Sequence, residues 1–193
     1  LIYYSKVMNK RANKILKFWF IESNPNDWFK KNDNFDKKIN DFFWKDYLKA
    51  INNEYDEWQD YSESCVALVI LLDQFSRNLF RNSSKAFSQD YKSRLIVNEA
   101  VDRGYLGELD LDKIHFLLLP LMHSEDISDH IFGHKLVETY LKKHKDYDLI
   151  KKAWDYHFLP IKKFGRYPHR NNTLKRNSTN EEVEFLKQPN SSW

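Results

Sequence analysis

The residues of this chain best suited to chemistry lie in the segment 71–81, LLDQFSRNLFR. The segment continues a hydrophobic run, 65–72, so the helix that carries both is predicted to be buried on nearly all sides. At 3.6 residues per turn its polar side chains form adjoining stripes, with Asp73, Arg77 and Arg81 on one and Gln74 and Asn78 beside it. Because an unpaired buried charge is costly, we expect these side chains to belong to an internal network, a ligand site or both.

The spacing of Asp73 and Arg77 supports two interpretations. As an i, i+4 pair of favourable polarity, the two residues would form a structural salt bridge that orients neighbouring helices. Alternatively, Arg77 and Arg81 form a clamp for an anion, and Asp73 holds one of the two guanidinium groups in place. The residue types alone leave both interpretations open.

A second polar group, His123, Ser124, Glu125 and Asp126, stands at a predicted helix start. Capping explains Ser124 and the two carboxylates, because negative charge in the first turn favours the helix dipole. Capping does not explain His123, which follows a hydrophobic helix. We therefore interpret His123 as a candidate proton carrier.

The next histidines raise the question of a metal site. Asp126, His130 and His134 fall on one helical stripe, and this spacing could hold a divalent metal together with His123. The HExxH pattern is absent, and histidines are common on exposed helix faces. Our prediction is therefore that the chain uses neither a metal ion nor another cofactor.

A third polar group lies in the segment 164–171, FGRYPHRN, which is predicted to be a loop. Its donors, together with an upstream histidine, are His157, Arg166, His169, Arg170 and Asn171. Rigid scaffolds commonly carry functional residues on loops, which favours a ligand site with His169 as a second candidate proton carrier. The alternative is a loop whose side chains bond the free carbonyl groups of helix ends.

Arginine usage draws attention to two of these segments. Lysine outnumbers arginine by 23 to 8, yet five arginines crowd into the segments 77–81 and 166–176. Where a point charge suffices, such a bias supplies lysine, so these arginines are expected to use the planar fork that binds carboxylate or phosphate. They are Arg77, Arg81, Arg166, Arg170 and Arg176.

The overall composition excludes several classes of protein. A formal charge of +3, from 31 basic and 28 acidic residues, is too small to favour nucleic acid as a partner. Cys65 is the single cysteine, which excludes an intrachain disulfide and cysteine-cluster zinc sites. Its hydrophobic surroundings predict a buried, inert thiol and the reducing cytoplasm. Glycine-rich phosphate loops and the GxSxG elbow are absent.

The start of the chain carries no recognisable targeting signal. No hydrophobic stretch approaches the roughly 20 residues of a transmembrane helix, and residues 1–20 do not resemble a secretory signal. Met8 is a candidate initiator, which would make residues 1–7 an upstream extension. The start is also basic, with Lys6, Lys10, Arg11, Lys14 and Lys17. A solvated face is the simplest interpretation, and contact with a membrane surface or RNA is the alternative.

Hydrophobic periodicity and capping residues predict helices throughout the chain. They cover 9–20, 34–52, 62–80, 88–103, 111–122, 125–141, 147–164 and 178–186. Their predicted caps are Ser62 or Ser64, Ser88 or Gln89, Ser124, and a capping box of Ser178 with Glu181. Turns are predicted at 24–26 and 82–84, helix ends at Gly104 and Gly165, an interruption near Pro120, and a kink or early end at Pro160.

These elements predict an all-α fold of antiparallel helix pairs, since no run of alternating strands is visible. The predicted organisation is an N-terminal extension over residues 1–13 and a single all-α domain over residues 14–193. No clean repeat of about 34 residues is visible, so the pattern alone does not establish a repeat solenoid.

Several motifs occur together in one order. They are FWF (18–20), LLDQFSRNLFR (71–81), Ala86-Phe87 with Asp90, LPLMHSED (119–126), FGRYPHRN (164–171) and STNEEVEFL (178–186), with Ser-Ser-Trp at the end. From about residue 14 onward, the chain resembles a bacterial family, the domain of unknown function numbered nine hundred and twenty-four. The resemblance implies a tetratricopeptide-like, all-helical fold and implies no particular reaction.

The polar positions of that family's motifs correspond here to Asp73, Gln74, Arg77, Asn78, Arg81, Asp90, His123, Ser124, Glu125, Asp126, His157, Arg166, His169, Arg170 and Asn171. His130 and His134 lie outside the pattern, which further disfavours a metal site. The segment before Lys14 also lies outside the resemblance.

The function favoured by these residues is a pocket between helices that binds, or binds and turns over, a small anionic ligand. The arginines expected to grip the anion are Arg77, Arg81, Arg166 and Arg170, with His123 and His169 as the catalytic candidates. The other expected contacts are Asp73, Gln74, Asn78, Glu125, His157 and Asn171. Charge balance over the whole chain favours a small anion over a polymer.

The alternative function is a non-enzymatic helical scaffold that binds a peptide or protein partner, an expectation that rests on fold analogy alone. Such a scaffold requires exposed aromatic or basic side chains on a concave face. The burial of four tryptophans bears on it, namely Trp19, Trp28, Trp44 and Trp58. RNA binding is a weaker third hypothesis, and the sequence leaves enzymatic activity and oligomeric state open.

Overall fold

The structure, a computed structural model, describes residues 9–189 and 191–192. Its α-helices are α1 (Lys10–Lys17), α2 (Pro25–Phe29), α3 (Asp33–Ile51), α4 (Ser62–Val69), α5 (Ser76–Leu79), α6 (Asp90–Asp102), α7 (Leu111–Met122), α8 (Ile127–Tyr140), α9 (Tyr147–Phe164) and α10 (Asn180–Leu186). Short 3-10 turns lie at Asp56–Asp60, Ser84–Phe87, Tyr105–Gly107 and Pro168–Arg170. No β-strand occurs in the described ranges, and the predicted all-α fold is confirmed.

The core is built around one long helical segment. A π-helical stretch, Ile70–Phe75, joins α4 to α5 without a break, and we call the three pieces together the central helix. It packs against α1, α3, α6 and α7. From Val66 to Leu72 every side chain is at most 1% exposed, as the hydrophobic run predicts. The central helix therefore delivers its polar residues into the interior.

The N-terminal helix covers one side of this core. Asn9 caps α1, and Ile15 of α1 is buried, as is Trp19 in the π-helical stretch Phe18–Glu22 that follows it. Lys10, Lys14 and Lys17 are exposed, in agreement with a solvated face. Arg11 differs, because its guanidinium forms a two-bond ion pair with the buried carboxylate of Asp46 on α3. The expectations for Lys6, Met8 and residues 1–7 fall outside the described residues.

The predicted cap at Ser124 was wrong by two residues. Asp126 caps α8, since its carboxylate accepts the backbone N–H of Ser128 at 2.9 Å. The Ser124 hydroxyl is instead buried and donates to Asp129 at 2.6 Å. Negative charge at the start of α8 is therefore supplied by aspartates, in agreement with the helix-dipole argument.

Two further helix starts were also assigned to the wrong serine. The last helix has the predicted capping box, but it is formed by Thr179 and Glu182, one residue later than Ser178 and Glu181. At the start of α4 neither Ser62 nor Ser64 caps, because Tyr61 is the cap residue and contributes no side-chain hydrogen bond. The Ser64 hydroxyl instead donates to the carbonyl of Trp58 at 2.7 Å. The sequence thus predicted the type of capping interaction at the last helix better than the residue that provides it.

Prolines break fewer helices than predicted. Pro25, assigned to a turn, occupies the first position of α2, where its missing N–H costs nothing. Pro120 and Pro160 lie inside α7 and α9, which continue to Met122 and Phe164. Both prolines are buried, so tertiary packing outweighs the lost backbone hydrogen bond. Gly104 and Gly165 have left-handed φ values of 78° and 67°, and both predicted helix ends are confirmed.

Consecutive helices α6, α7, α8 and α9 pack against one another, an arrangement compatible with a tetratricopeptide-like fold. Trp19 and Trp58 are buried, Trp28 is partly buried, and Trp44 is 37% exposed. Among the described helices, none combines the length and the apolar character needed to cross a lipid bilayer.

Candidate functional site

The three predicted polar segments meet inside the fold. Asp73 on the central helix accepts a hydrogen bond from His123 at the end of α7, 2.8 Å from Oδ1 to Nδ1. Arg77 and Arg170 both contact the carboxylate of Asp90, which is the first residue of α6. We call these five residues the central cluster. They lie up to 97 positions apart in the sequence, so only the tertiary fold assembles them.

Asp73 is the most deeply buried member, with no exposed surface. Besides His123, it accepts from Gln74 Nε2 at 2.6 Å and lies 3.1 Å from Arg77 Nη1. Burial acts to raise the pKa of Asp73, but the charge of Arg77 and the hydrogen bond from His123 outweigh it and hold the pKa well below its usual value. Asp73 is therefore a carboxylate in the folded protein, and the predicted Asp73–Arg77 salt bridge is present.

The π-helical stretch explains how this residue reaches its partners. A π-helical turn inserts extra backbone and rotates the following side chains away from the α-helical register, and such turns are frequent at functional sites. Ile70–Phe75 contains both Asp73 and Gln74. The predicted i, i+4 contact of Asp73 with Arg77 is nevertheless kept across this stretch.

Arg81 leaves the predicted stripe because the helix ends before it. The sequence places it on the stripe of Asp73 and Arg77, but it lies beyond the end of α5 and binds elsewhere. Its guanidinium forms a two-bond pair with Asp36 on α3, and Asn78 donates to the same carboxylate at 2.7 Å. Arg77 and Arg81 therefore hold different carboxylates and do not form a common clamp.

The loop after α9 forms a separate set of contacts, which we call the loop cluster. Its members are Glu125, Arg166, Asn171, Arg176 and Glu182. Arg166 binds Glu182 through two hydrogen bonds of 2.6 and 2.8 Å, and Arg176 binds Glu125 through two of 2.6 and 2.9 Å. Asn171 connects the two pairs, because it accepts from Arg176 and donates to Glu182. These contacts fasten the loop and α10 to the start of α8.

The predicted use of the arginine fork is present in four of the five clustered arginines. Each binds one carboxylate through two hydrogen bonds, in the pairs Arg77–Asp90, Arg81–Asp36, Arg166–Glu182 and Arg176–Glu125. Protein carboxylates therefore occupy these four forks, in geometry typical of strong ion pairs.

Arg170 is the exception. It is 6% exposed, and its Nη1 makes one hydrogen bond of 3.3 Å to Asp90. The rings of Phe87 and Tyr167 pack against the guanidinium, each with its centroid 4.5 Å from Cζ. Its Nε is buried without a hydrogen-bond partner. Burial lowers the pKa of Arg170. The negative charge of Asp90 acts to raise that pKa, but the positive charge of Arg77 lowers it, so the pKa of Arg170 stays below its usual value.

Sequence reasoning missed several residues that complete these clusters. Asp36, Phe87, Tyr167 and Glu182 were not assigned to a site, and Asp90 entered only through the family motifs. An acidic residue in the first turn of α6 was a usable signal for Asp90, since carboxylates are favoured there. The partners of Arg81 and Arg166 lie on other helices, where sequence periodicity carries no information.

Two further histidines lie near the ring of His123, which is itself a member of the central cluster. The rings of His123 and His157 are 6.4 Å apart, and Tyr167 lies 6.1 Å from His157 and 5.4 Å from His169. Burial lowers the pKa of His123, and nearby Arg77 lowers it further. Burial lowers the pKa of His157 to about 3 and that of His169 to about 4. All three imidazoles are therefore neutral near pH 7.

These depressed values predict acid sensitivity. Unfolded histidines bind a proton near pH 6.5, whereas His157 and His169 in the folded protein bind one only near pH 3–4. The unfolded state therefore takes up more protons below about pH 6.5, and stability must fall as the pH drops. We expect the free energy of unfolding, measured with urea, to decrease by at least about 1 kcal/mol between about pH 6.5 and 5.

The variant His157→Gln supplies the control for this measurement. It removes one of the groups whose protonation favours unfolding, so its loss of stability over the same interval should be smaller. A flat profile for the natural sequence between about pH 5 and 7 would contradict the expectation.

The residues of the considered metal site are occupied by the protein itself. His130 Nε2 lies 2.8 Å from the carbonyl of Ser124, and His134 contacts the carbonyl of His130 and the carboxylate of Asp155. Within residues 9–189 and 191–192, no group of three or more potential ligands is arranged to hold a metal ion.

Two surface clefts, of about 430 and 420 Å³, lie away from the central cluster and include none of its residues. Within the central cluster, the three polar segments pair directly with one another or through the shared carboxylate of Asp90. Among the five residues of the central cluster, Arg170 is the one with a buried side-chain atom, Nε, that has no hydrogen-bond partner; elsewhere in the described residues Arg94 Nε is in the same position.

Comparisons with known proteins agree with this architecture. Residues 15–190 match the family described as "Bacterial protein of unknown function (DUF924)". A solved structure of a protein of unknown function from Agrobacterium tumefaciens superposes with a TM-score of 0.85 at 34% sequence identity, covering 92% of this chain and 97% of that one. Among curated proteins, none matches the sequence.

Proposed function

The chain belongs to this bacterial family of unknown function, and from that premise we propose that it binds a small anionic ligand at Arg170 of the central cluster. The observation that carries the proposal is the buried Nε of Arg170, which has no hydrogen-bond partner. Leaving such a donor unpaired costs about 1–3 kcal/mol. A ligand oxygen placed on Nε removes this cost, so the bound state is favoured.

The contacts of Arg170 restrict the chemistry of the ligand. Asp90 takes Nη1, and the aromatic rings of Phe87 and Tyr167 pack on the guanidinium. The Nε edge remains, and a guanidinium edge fits the paired oxygens of a carboxylate or phosphate. The side chains of Arg77 and Asp90 are 21% and 17% exposed, which gives the cluster a solvent-facing side. The proposed ligand is therefore a small carboxylate or phosphate.

Charge balance gives the neighbouring histidines a role. Asp73 and Asp90 neutralise Arg77 and Arg170, so a bound anion adds one uncompensated charge. His123 is a member of the cluster and His169 lies near it; both are neutral, and an anion raises the proton affinity of a nearby imidazole. In a reaction, these two histidines are the proposed proton carriers.

The other predicted ligand residues divide into two groups. Gln74 and His157 border the central cluster and are proposed as further contacts. The remainder, Asn78, Arg81, Glu125, Arg166 and Asn171, pair with protein groups and are proposed to support the site rather than to touch the ligand.

Two broader proposals accompany this one. We propose that residues 14–193 form one domain and that the protein acts in the cytoplasm. The thiol of Cys65 supports the compartment, since it is buried and burial raises its pKa to about 12, as in an inert thiol kept reduced.

A scaffold for a peptide or protein partner is the second candidate function, and one observation favours it. On α8, Ile127 and Ile131 are 44% and 60% exposed at i, i+4 spacing, and Phe132 beside them is 36% exposed. Exposed apolar residues on one helix face are typical of contact surfaces. This surface does not involve Arg170, so the two candidates respond differently to a change at that residue.

The proposal predicts a selective effect of Arg170→Lys. Lysine keeps the charge but lacks the planar fork, so anion binding should weaken by at least about tenfold. The measurement is the rise in melting temperature caused by inorganic phosphate and by succinate, compared with chloride at equal ionic strength. Both anions should stabilise the natural sequence and leave Arg170→Lys unchanged.

Arg81→Lys is the matched control, because it removes an arginine fork of the same kind from the separate pair with Asp36. It should respond to both anions as the natural sequence does. Equal stabilisation of Arg170→Lys and the natural sequence, or none of either, would overturn the proposal and leave the scaffold as the better candidate.

A further inference from the structure

The contact between Asp73 and His123 fixes which ring nitrogen of the imidazole carries the hydrogen. Asp73 Oδ1 lies 2.8 Å from His123 Nδ1. Asp73 is a carboxylate, because its pKa is held well below its usual value, and a carboxylate only accepts hydrogen bonds. Nδ1 is therefore the donor. Since His123 is neutral near pH 7, its other ring nitrogen, Nε2, carries a lone pair and no hydrogen.

The Nε2 atom of His123 is open to a group from outside the protein. The hydrogen bond that His123 makes within the described residues uses Nδ1, and none of them occupies Nε2. Nε2 is also not one of the buried polar atoms that lack a partner in this part of the chain. The side chain is 13% exposed, so its lone pair reaches the surface.

Charged groups on three elements act on this imidazole. Burial and the charge of Arg77 lower the pKa of His123, whereas Asp73 and Asp90 act to raise it. The first two influences keep the ring neutral, and the two carboxylates stabilise the imidazolium once Nε2 takes a proton. The other histidines within electrostatic range are His115, His130, His157 and His169.

From this geometry we propose that His123 is the proton acceptor of the site and that Asp73 is its positioning residue. Nε2 takes a proton from a hydroxyl group of the ligand or from a water molecule beside it, and the bonding electron pair stays on that oxygen. The imidazolium keeps its Nδ1 hydrogen bond to Asp73, whose negative charge stabilises it. Only the identity of the ligand rests on the function proposed above, and the tautomer of His123 is independent of it.

The tautomer is measured in the natural sequence without any ligand. Nitrogen NMR of protein labelled at histidine, in phosphate-free buffer near pH 7, distinguishes a protonated ring nitrogen from a bare one. We expect the hydrogen of His123 on Nδ1 and a bare Nε2, with the signal assigned by its loss in His123→Gln. A hydrogen on Nε2 would overturn the proposal.

The reactivity of Nε2 is measured with diethyl pyrocarbonate, which acylates the unprotonated nitrogen of an imidazole. We expect His123 to be labelled at Nε2, as determined by peptide mass spectrometry. Asp73→Asn keeps the shape and one oxygen acceptor but removes the charge, so the basicity of His123 falls. Labelling should then slow by at least about threefold in variant protein that circular dichroism shows to be folded.

Either of two labelling results would contradict the proposal. One is an unlabelled His123 in the natural sequence, and the other is an unchanged labelling rate in folded Asp73→Asn. If Asp73→Asn does not fold, the tautomer and the labelling of the natural sequence decide the question.

Asp112→Asn is the matched control, because Asp112 Oδ1 lies 2.9 Å from Nε2 of a different histidine, His144. It should leave the tautomer and the labelling rate of His123 unchanged, and equal slowing in the two asparagine variants would count against Asp73. No anion takes part in these measurements. A failure of phosphate to stabilise the protein would therefore overturn the function proposed at Arg170 and leave the role of His123 in place.

Discussion

Replacing Asp73 with alanine is expected to lower the free energy of unfolding by about 3–5 kcal/mol. The carboxylate has no exposed surface and receives Gln74 and His123 while lying against Arg77. Its removal leaves those donors in the interior with fewer acceptors, and stranded buried polar groups account for most of the cost of breaking a buried pair. Urea unfolding followed by circular dichroism measures the loss.

The effect should depend on pH in a defined direction. A carboxylate whose pKa is lower in the folded protein contributes stability above its unfolded pKa, near 3.9, and loses it as the pH falls through the folded value. The free energy of unfolding of the natural sequence should therefore exceed that of Asp73→Ala by the full amount at neutral pH. This difference should become smaller below about pH 4.

Asp36→Ala is the comparison for this variant. Asp36 also pairs with an arginine, but it is 14% exposed, so its removal should cost about 1 kcal/mol. If Asp73→Ala lowered the free energy of unfolding no more than Asp36→Ala does, the buried contacts of Asp73 would contribute little to stability, which would contradict the expectation.

The parts of this fold that could be predicted from sequence are those governed by local physics. Hydrophobic periodicity located α3, α6, α7 and α9 to within about two residues. The glycines that end α6 and α9 were identified because left-handed backbone is costly for other residues. Interactions within about one helical turn decide these features, and the sequence displays such interactions directly.

What could not be predicted depends on contacts across helices. α5 ends at Leu79, so Arg81 does not stay on the helical stripe that it shares with Asp73 in the sequence. Asp36 lies 45 positions from Arg81, and Asp90 lies 80 positions from Arg170. The sequence showed which arginines needed planar partners, but the identity of those partners is a property of the tertiary fold.

The partners of the five clustered arginines show what an excess of arginine in a segment indicates. A surplus of arginine over the background predicts that the fork is used, and here protein carboxylates fill four of the five forks. Abundance alone therefore does not indicate a ligand. The informative residue is the one whose donors remain unsatisfied after the internal pairs are removed, and in this cluster that residue is Arg170.

The second large effect is expected at Gly133 on α8. A Cβ atom added there would overlap Cζ3 and Cη2 of Trp154 on α9. Trp154 has no exposed surface, so its ring cannot move aside without displacing other core atoms. Overpacking of this kind costs about 1–3 kcal/mol or more, which exceeds the gain of about 1 kcal/mol from replacing a helical glycine with alanine. We expect Gly133→Ala to lower stability by about 2 kcal/mol.

Two further variants separate steric overlap from other causes. Gly107→Ala is the matched control, since no atom lies within 4 Å of its added Cβ, and it should leave stability nearly unchanged. Trp154→Phe shortens the overlapping ring, so the double variant Gly133→Ala/Trp154→Phe should lose less than the sum of the two single losses. Additive losses would mean that Gly133 is required for its backbone and not for the close approach of α8 to α9. Gly133 would then matter for the backbone of α8 alone. The overlap with Trp154 indicates instead that the missing side chain lets α8 approach α9 closely.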